Sequence, residues 1–254
     1  MKQLKLALIA VLLTSYACKK DDKKDTTTPT PTPTQTGEAV LELDNLWGNA
    51  SFQLGAQYIT LNNDTIVPSQ LKYYISNIRL TKTDNTIFTE SESYHLVDLS
   101  VSESNLITIK NIPAGEYSSI EFMVGVDSTR NCSGAQTGAL DPSNGMFWTW
   151  NSGYIFVKFE GSIGAKSRTL QHHIGGYKSP NINMGTISSA FNGQVLRVSS
   201  NAKPQMHFEI NLKNYFTSPN QVDLQNLNVA MSPNQCVPLA INFRECFEFD
   251  HIHN

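Results

Sequence analysis

Apolar and polar residues alternate along most of the chain after residue 38. Two runs show the pattern most clearly, because residues 119–126 and 205–212 carry an apolar side chain at every second position. A period of two is typical of strands with one buried and one exposed face. Similar runs cover residues 40–43, 73–80, 94–99, 106–109 and 154–160. The pattern therefore predicts a mainly β fold.

Turn-forming residues separate the predicted strands. Glycine, proline, asparagine and aspartate are concentrated at residues 62–64, 113–115, 141–145 and 175–176. Short strands joined by such turns predict an antiparallel β-sandwich.

One segment near the C-terminus departs from the alternation. After Pro238, apolar side chains stand at Leu239, Phe243, Cys246 and Phe247, which is the i, i+4, i+7, i+8 spacing of a helix face. Proline is favoured in the first turn of a helix. The spacing therefore predicts a short C-terminal helix that begins near Pro238 and packs its apolar face on the sandwich.

The first 17 residues have the pattern of a secretory signal. Lys2 and Lys5 precede an apolar run over residues 6–13, which is too short to span a bilayer. Ala17 stands directly before Cys18. This arrangement resembles a bacterial lipobox, whose cysteine becomes the lipid-modified first residue. We expect removal of residues 1–17 and anchoring through Cys18 in the outer membrane, on the periplasmic side or at the cell surface. Plain secretion with a free Cys18 thiol is the alternative.

Residues 18–37 are predicted to form a disordered tether. Lysine, aspartate, threonine and proline dominate this stretch, so little apolar surface can offset the entropy of ordering. The remaining residues, 38–254, have a length compatible with one domain. The whole chain has a net charge of −3, and the predicted domain lacks a basic run. Both features argue against nucleic acid as a partner.

Three cysteines remain in the predicted domain: Cys132, Cys236 and Cys246. The compartment outside the cytoplasm is oxidising, so a disulfide can form there. Cys236 and Cys246 are the nearest pair in sequence and form the candidate disulfide, although sequence alone does not fix the pairing. One thiol is left over in either case.

The sequence lacks common catalytic and nucleotide-binding motifs. GxxxxGK, GxGxxG, HExxH and GxSxG are all absent. No nucleophile stands in a recognisable context with a neighbouring base. We therefore expect a binding protein rather than an enzyme.

Six histidines are present, and four of them form two pairs. His172 and His173 are adjacent and precede a Gly-Gly turn, whereas His251 and His253 form an H-x-H motif near the C-terminus. In an extended strand, neighbours point to opposite faces and residues two apart share a face. H-x-H is therefore suited to joint coordination of one metal, and imidazole suits copper, zinc and iron. The alternative is structural, with solvated terminal histidines and a loop cap at His172.

The segment 145–154 is rich in aromatic residues. Trp148 and Trp150 lie two positions apart, so an extended backbone places both rings on one face, beside Met146, Phe147 and Tyr154. Such a group is either an aromatic ladder that closes the core or a redox-active or ligand-binding patch. The residues by themselves favour packing.

Several motifs together resemble the MbnP-like family. They are LKYYISNIRL at residues 71–80, YHLVD at 94–98, PAGEY at 113–117, GVD at 125–127, LDP at 140–142, GMFWTW at 145–150 and SGY at 152–154. The resemblance extends over nearly all of the chain after the tether. It implies a β-sandwich of the bacterial cell envelope with a role in copper homeostasis. It also implies a di-haem cytochrome c peroxidase-like partner, which in characterised members oxidises a tryptophan to kynurenine that helps histidines to hold Cu(I).

The resemblance also implies where the metal is held. Trp148 or Trp150 corresponds to the modified tryptophan, and His172 or His173 lies where a family histidine follows. Some relatives carry Trp-x-His, but here Trp150 occupies the second position after Trp148, so a ligand must come from elsewhere, including the terminal H-x-H. The predicted metal ligands of this envelope lipoprotein are Trp148, Trp150, His172, His173, His251 and His253.

A function without a metal is the alternative hypothesis. The chain would then be a surface lipoprotein module that binds a ligand or a protein through its aromatic patch. That hypothesis predicts unmodified tryptophans and no copper affinity above that of a generic H-x-H tail.

Overall fold

The alternating segments form two packed sheets in the computed structural model, which describes residues 35–148, 153–164 and 168–254. Within those residues, the small sheet contains β1 (Thr36–Trp47), β2 (Ala50–Ser51), β7 (Leu106–Pro113), β16 (Gln205–Asn211) and β18 (Phe247–His253). The large sheet contains β3 (Tyr58–Ile59), β4 (Thr65–Lys82), β5 (Ile87–Thr89), β6 (Tyr94–Asp98), β8 (Gly115–Val124), β9 (Phe147–Trp148), β10 (Gly153–Ile163), β11 (Arg168–Gly175), β14 (Gly185–Ala190), β15 (Leu196–Val198) and β17 (Val229–Ala230).

Short elements connect and cover these sheets. A two-stranded ribbon is formed by β12 (Tyr177–Lys178) and β13 (Asn181–Ile182). The α-helices are α1 (Ser128–Cys132) and α2 (Pro233–Arg244). Single 3-10 turns occur at Gly138–Leu140, Pro142–Asn144 and Asn214–Phe216.

Strand pairing is mostly antiparallel. The order of the small sheet is β18-β16-β1-β2, with β7 also paired to β1, and the order of the large sheet is β14-β8-β4-β10-β11-β17. Two pairs run parallel, β1 with β16 and β11 with β17. The long strand β4 also pairs with β3, β5 and β6. The mainly β sandwich predicted from the alternation is confirmed.

The core lies between the sheets and is built from the inward-facing residue of each alternating pair. Met206 and Phe208 of β16 are buried, as is Phe122 of β8. The ring centroids of Phe122 and Phe208 are 5.4 Å apart at 79°, an edge-to-face contact that joins the two sheets. Burial of such a side chain stabilises the fold by about 1.5–3 kcal/mol.

A second hydrophobic cluster covers the outer face of the large sheet. Tyr73 and Tyr74 are neighbours on β4 and point to opposite faces, so Tyr73 packs in the main core and Tyr74 in the outer cluster. The Tyr74 hydroxyl donates to the Ala139 carbonyl (2.9 Å), and the Tyr154 hydroxyl donates to the Leu140 carbonyl (2.8 Å). These bonds hold the long connection after β8 against the sheet.

The predicted C-terminal helix is present, but its bounds differ from those that the spacing predicts. Helix α2 begins at Pro233, so Pro238 lies inside it, and the helix ends at Arg244. Phe247, predicted to belong to the helix, begins β18. The rings of Phe243 and Phe247 are nevertheless 5.6 Å apart, because the helix and the strand cover the same core. This shared burial produces helix-like spacing across the helix end.

The first strand begins slightly before the predicted domain start at residue 38. Thr36 and Gly37 pair with Pro113 and Ile112 of β7. The predicted signal segment, Cys18 and the tether up to residue 34 lie outside the described residues. In the part of the chain that is described, no helix is long and apolar enough to cross a bilayer.

Candidate metal centre

Three histidines meet on the outer face of the small sheet. On β16, Met206 and Phe208 point into the core, so His207 between them points outward. Strand β18 runs antiparallel beside β16 and brings His251 and His253 to the same face. We refer to His207, His251 and His253 as the histidine cluster. Of these three, His207 is a candidate ligand that the sequence motifs do not single out.

A β-bulge in β18 places His251 beside His207. The register shifts between Met206 and Phe208, so Asp250 and His251 together oppose His207. A bulge adds one residue to one strand and re-aims the side chains there. Without the bulge, strict alternation from the buried Phe249 would direct His251 and His253 toward the core. The bulge therefore creates the cluster.

The three imidazole rings are in direct contact. His251 Nε2 and His253 Nε2 are 2.9 Å apart, and the rings of His207 and His251 are stacked with centroids 4.4 Å apart at 11°. One ring nitrogen of each residue lies within 4.8 Å of the others. Nitrogen atoms at this spacing can share a transition-metal ion once one stacked ring tilts. His251 has the more exposed side chain of the stacked pair, at 38% against 13%.

Carboxylates surround the histidine cluster. Asp250 Oδ2 lies 2.6 Å from His251 Nδ1. The parallel register sets Glu42 opposite His207, and Glu42 Oε2 lies 3.4 Å from His207 Nε2, while Asp44 Oδ2 lies 3.6 Å from His207 Nδ1. At His251, the Asp250 carboxylate beside Nδ1 orients the ring and leaves Nε2 for a metal. This arrangement is common around metal-binding imidazoles.

Within the histidine cluster, His207 Nε2 is the atom that most directly indicates ion binding. Within the described residues it is buried and has no hydrogen-bond partner, since the Glu42 contact at 3.4 Å lacks hydrogen-bond geometry. Buried polar atoms are normally hydrogen-bonded, and the capacity to bind an ion is one physical explanation for an exception. The donor set of imidazole nitrogens and carboxylate oxygens fits a copper ion.

His172 is buried and has both ring nitrogens in hydrogen bonds. Its Nδ1 lies 2.7 Å from the Tyr215 hydroxyl, and its Nε2 lies 2.7 Å from the Leu227 carbonyl. Burial lowers the pKa of His172 to about 4, so the ring is neutral at pH 7. A neutral ring here donates from Nε2 to the carbonyl and accepts the hydroxyl proton at Nδ1. His172 therefore joins β11 to the 214–227 region instead of offering a free nitrogen to a metal.

His173 points away from its neighbour on β11 and pairs with a carboxylate. Its Nε2 lies 2.6 Å from Glu160 Oε1. Burial lowers the pKa of His173, and the Glu160 carboxylate opposes that shift. In the described part of the chain, neither His172 nor His173 belongs to a group of three potential metal-binding side chains.

Trp148 lies in the outer cluster of the large sheet. The side chain is buried, and its ring packs against Gly175, where an added Cβ would lie 2.7 Å from ring carbons. Trp148 also lines a cleft of about 230 Å³ together with Tyr154 and Tyr177, which we call the aromatic cleft. Trp150 lies outside the described residues.

The predicted ligands that the structure describes do not form one site. The histidine cluster lies on the outer face of the small sheet, whereas Trp148 packs on the outer face of the large sheet, and the main core separates them. A single ion therefore cannot contact both Trp148 and the histidine cluster. The structure brings His251 and His253 together with His207, and leaves Trp148 apart from them.

The candidate disulfide between Cys236 and Cys246 is not formed. Both residues are buried free thiols, and Cys132 is an exposed free thiol. Cys236 lies near the start of α2 and Cys246 beyond its end, so the helix separates them. Each thiol donates to a carbonyl instead, Cys236 to His173 (3.3 Å) and Cys246 to Asn242 (3.2 Å). Burial raises the pKa of Cys236 to about 12 and that of Cys246 well above its usual range.

Comparisons with known proteins agree with this fold. The structure is similar to that of MbnP from Methylosinus trichosporium, with a TM-score of 0.52 and 16% identity over 74% of this chain and 80% of that chain, a likeness that shows a shared fold. A search of curated proteins gives no significant match. The family model of MbnP matches residues 36–236, which is most of the chain and nearly all of the sandwich. The resemblance seen in the motifs is thus confirmed, and the chain belongs to the MbnP family.

Proposed function

We propose that this chain is a copper-binding protein of the cell envelope and that the histidine cluster binds the ion. Membership of the MbnP family suggests a copper-related role. The observation that carries the proposal is the convergence of His207, His251 and His253 on one face, with His207 Nε2 buried and without a hydrogen-bond partner among the described residues. The role is binding rather than catalysis.

The proposal includes a lipid anchor at Cys18. The signal pattern of residues 1–17 and the adjacent cysteine support an outer-membrane lipoprotein with a disordered tether. A lipoprotein with several acyl chains remains stably bound to a membrane. Copper binding would then take place at the membrane surface, on a domain held away from the lipid by the tether.

A second part of the proposal concerns the aromatic segment. A di-haem cytochrome c peroxidase-like partner would oxidise Trp148 or Trp150 to kynurenine, which would contribute to a Cu(I) site. The motif resemblance supports this step, and so does the position of Trp148 at the wall of the aromatic cleft. Because Trp148 and the histidine cluster lie on opposite faces, a site at Trp148 would be separate from the cluster.

The test is copper content of the full-length chain purified from its native envelope. We expect near-stoichiometric copper in the natural chain and its loss in a His251→Asn, His253→Asn double variant. Both histidines lie on the solvent-facing side of an edge strand, so the variant should fold. The matched control is His95→Asn, which removes an imidazole paired with Glu90 on the large sheet. Unchanged copper in the double variant would contradict the proposal.

The aromatic part is tested on the same preparation. Peptide mass spectrometry of the segment that contains Trp148 and Trp150 should show the mass change of indole-to-kynurenine conversion. Unmodified tryptophans in envelope-purified protein would refute the oxidation step and would leave copper binding at the histidine cluster unaffected.

A second candidate function rests on the aromatic cleft itself. Trp148, Tyr154 and Tyr177 line it, and Lys178 stands at its rim over the Tyr177 ring at 5.1 Å. Aromatic walls with a few polar groups are typical of small-ligand sites. Under this alternative, the chain is a surface module that binds a non-metal ligand or a protein, and purified protein would contain unmodified tryptophans and no copper.

A further inference from the structure

We infer that the histidine cluster is a site for the divalent ion Cu²⁺ rather than for Cu⁺. The inference rests on the proposed function and adds the oxidation state of the bound ion. The chemistry of the atoms around the cluster carries it, because they are nitrogens and carboxylate oxygens. The separation of the cluster from Trp148 makes it independent of a modification at Trp148.

Donor softness is the first argument. Two groups of potential ligands share His207, and their other members are His251, His253, Glu42 and Asp44, with no cysteine among them. The thioether of the neighbouring Met206 faces the core, where that residue is fully buried. Soft sulfur ligands select Cu⁺, whereas imidazole and carboxylate together suit Cu²⁺ in a tetragonal arrangement.

Charge is the second argument. Glu42 and Asp44 lie beside His207, and Asp250 contacts His251, so three carboxylates surround three imidazoles. Neutral imidazoles supply no charge to balance an ion. The attraction between an ion and these carboxylates grows with the charge of the ion, so Cu²⁺ gains more from this arrangement than Cu⁺ does.

The position of the ligands links binding of the ion to the stability of the fold. The match to the family model ends at residue 236, before β18, so His251 and His253 lie outside the matched region. β18 is an edge strand, paired only with β16 in the order of the small sheet. An ion held by His207, His251 and His253 together would join these two strands, and it would stabilise the folded chain because the unfolded chain lacks the site.

The experiment compares the two oxidation states on the full-length chain in detergent. A Cys132→Ser background removes the exposed thiol, which would otherwise reduce Cu²⁺ and bind Cu⁺. Cu²⁺ is titrated under air and followed by electron paramagnetic resonance, and Cu⁺ affinity is measured anaerobically by competition with a chromophoric Cu⁺ chelator. The variants are His253→Asn and the pair Glu42→Gln with Asp44→Asn. Glu209→Gln, an exposed carboxylate on β16 outside both ligand groups, is the control.

We expect one Cu²⁺ per chain with nitrogen hyperfine structure, lost in His253→Asn. The paired carboxylate variant should weaken Cu²⁺ binding by about tenfold or more, as loss of supporting carboxylates does at other metal sites, and should leave Cu⁺ affinity nearly unchanged. Melting temperature should rise with Cu²⁺ in the natural chain and in Glu209→Gln, but not in His253→Asn.

The failures are distinguishable. A Cu⁺ affinity that exceeds the Cu²⁺ affinity, depends on His253 and is unchanged in the paired carboxylate variant would overturn the inference. Copper binding at the cluster would then still stand. Cu²⁺ binding that survives His253→Asn would place the ion elsewhere and would also overturn it. Binding of neither ion would refute the proposed function itself.

Discussion

Replacement of His172 by leucine separates a structural histidine from a metal ligand. The resemblance to the family makes His172 a candidate ligand, but its side chain is fully buried and bonded at both nitrogens. In His172→Leu, the Leu227 carbonyl and the Tyr215 hydroxyl lose these partners inside the core. Each buried group left without a partner lowers the free energy of unfolding by about 1–3 kcal/mol. Because the apolar leucine side chain compensates in part, we expect the free energy of unfolding to fall by about 3 kcal/mol at pH 7.

The same substitution should change the pH dependence of stability. The pKa of His172 is about 4 in the folded protein, below the ordinary value of 6.5 that applies to the unfolded chain. Between these values the unfolded chain binds more protons, so the free energy of unfolding falls as the pH decreases from 6.5 to 4. The fall due to this residue is about 3 kcal/mol. His172→Leu lacks this pH-dependent contribution. The difference in the free energy of unfolding between the natural chain and His172→Leu should therefore nearly vanish by pH 4.

Urea denaturation at pH 7, 5.5 and 4, followed by circular dichroism, measures both effects. The natural chain and His172→Leu should differ by about 3 kcal/mol at pH 7 and should converge in acid. His95→Asn, on the large sheet, is the control for a general loss of a histidine. A constant difference at all three pH values would refute the reasoning about the buried ring. Loss of copper from a folded His172→Leu protein would show that His172 is a ligand after all.

Two further predictions concern burial on the large sheet and α2. In the native protein, a thiol reagent should modify Cys132 rapidly, whereas Cys236 and Cys246 should react only after denaturation and without prior reduction, because both are buried thiols. Reaction of either buried cysteine in the native protein would contradict its burial, and a need for reductant would contradict the free-thiol assignment. Gly175→Ala should destabilise the fold by about 1–3 kcal/mol and change tryptophan fluorescence, because the new Cβ would lie 2.7 Å from carbons of the Trp148 ring. An unchanged midpoint of urea denaturation would contradict this prediction, because it would mean that the ring moves freely.

The sandwich was predictable because alternation is a local signal. The runs at 119–126 and 205–212 correspond to β8 and β16, whose inward residues form the core. The helix bounds were not predictable in the same way. Phe243 in α2 is buried and the half-buried Phe247 in β18 packs against the same core, and periodicity alone cannot reveal that the backbone changes conformation between them.

The candidate metal site was only half predictable. H-x-H indicates that His251 and His253 share a face, and the structure places them on one. The partner His207 stands at a polar position of an alternating run, which signals exposure but not proximity. Its contact with His251 depends on pairing between β16 and β18 and on a bulge, which are non-local features that the sequence pattern does not contain.

The separation of Trp148 from the histidine cluster likewise required the sheet topology. Tyr73 and Tyr74 show how one step along β4 changes the face of the large sheet, and Trp148 packs on the face of Tyr74. A motif that lists tryptophans and histidines together cannot assign them to opposite sides of a sandwich. Among the predicted ligands that the structure describes, His251 and His253 lie on the small sheet, Trp148 lies on the outer face of the large sheet, and His172 is buried beside Tyr215 of the main core.

The most direct test of copper binding at the histidine cluster is diffraction from crystals of the copper-loaded protein, with data on both sides of the copper absorption edge. We predict an anomalous peak on the outer face of the small sheet, in contact with ring nitrogens of His207, His251 and His253. The His251 ring should be tilted out of its stack with His207. A copper peak in the aromatic cleft with none at the histidine cluster would contradict the central claim.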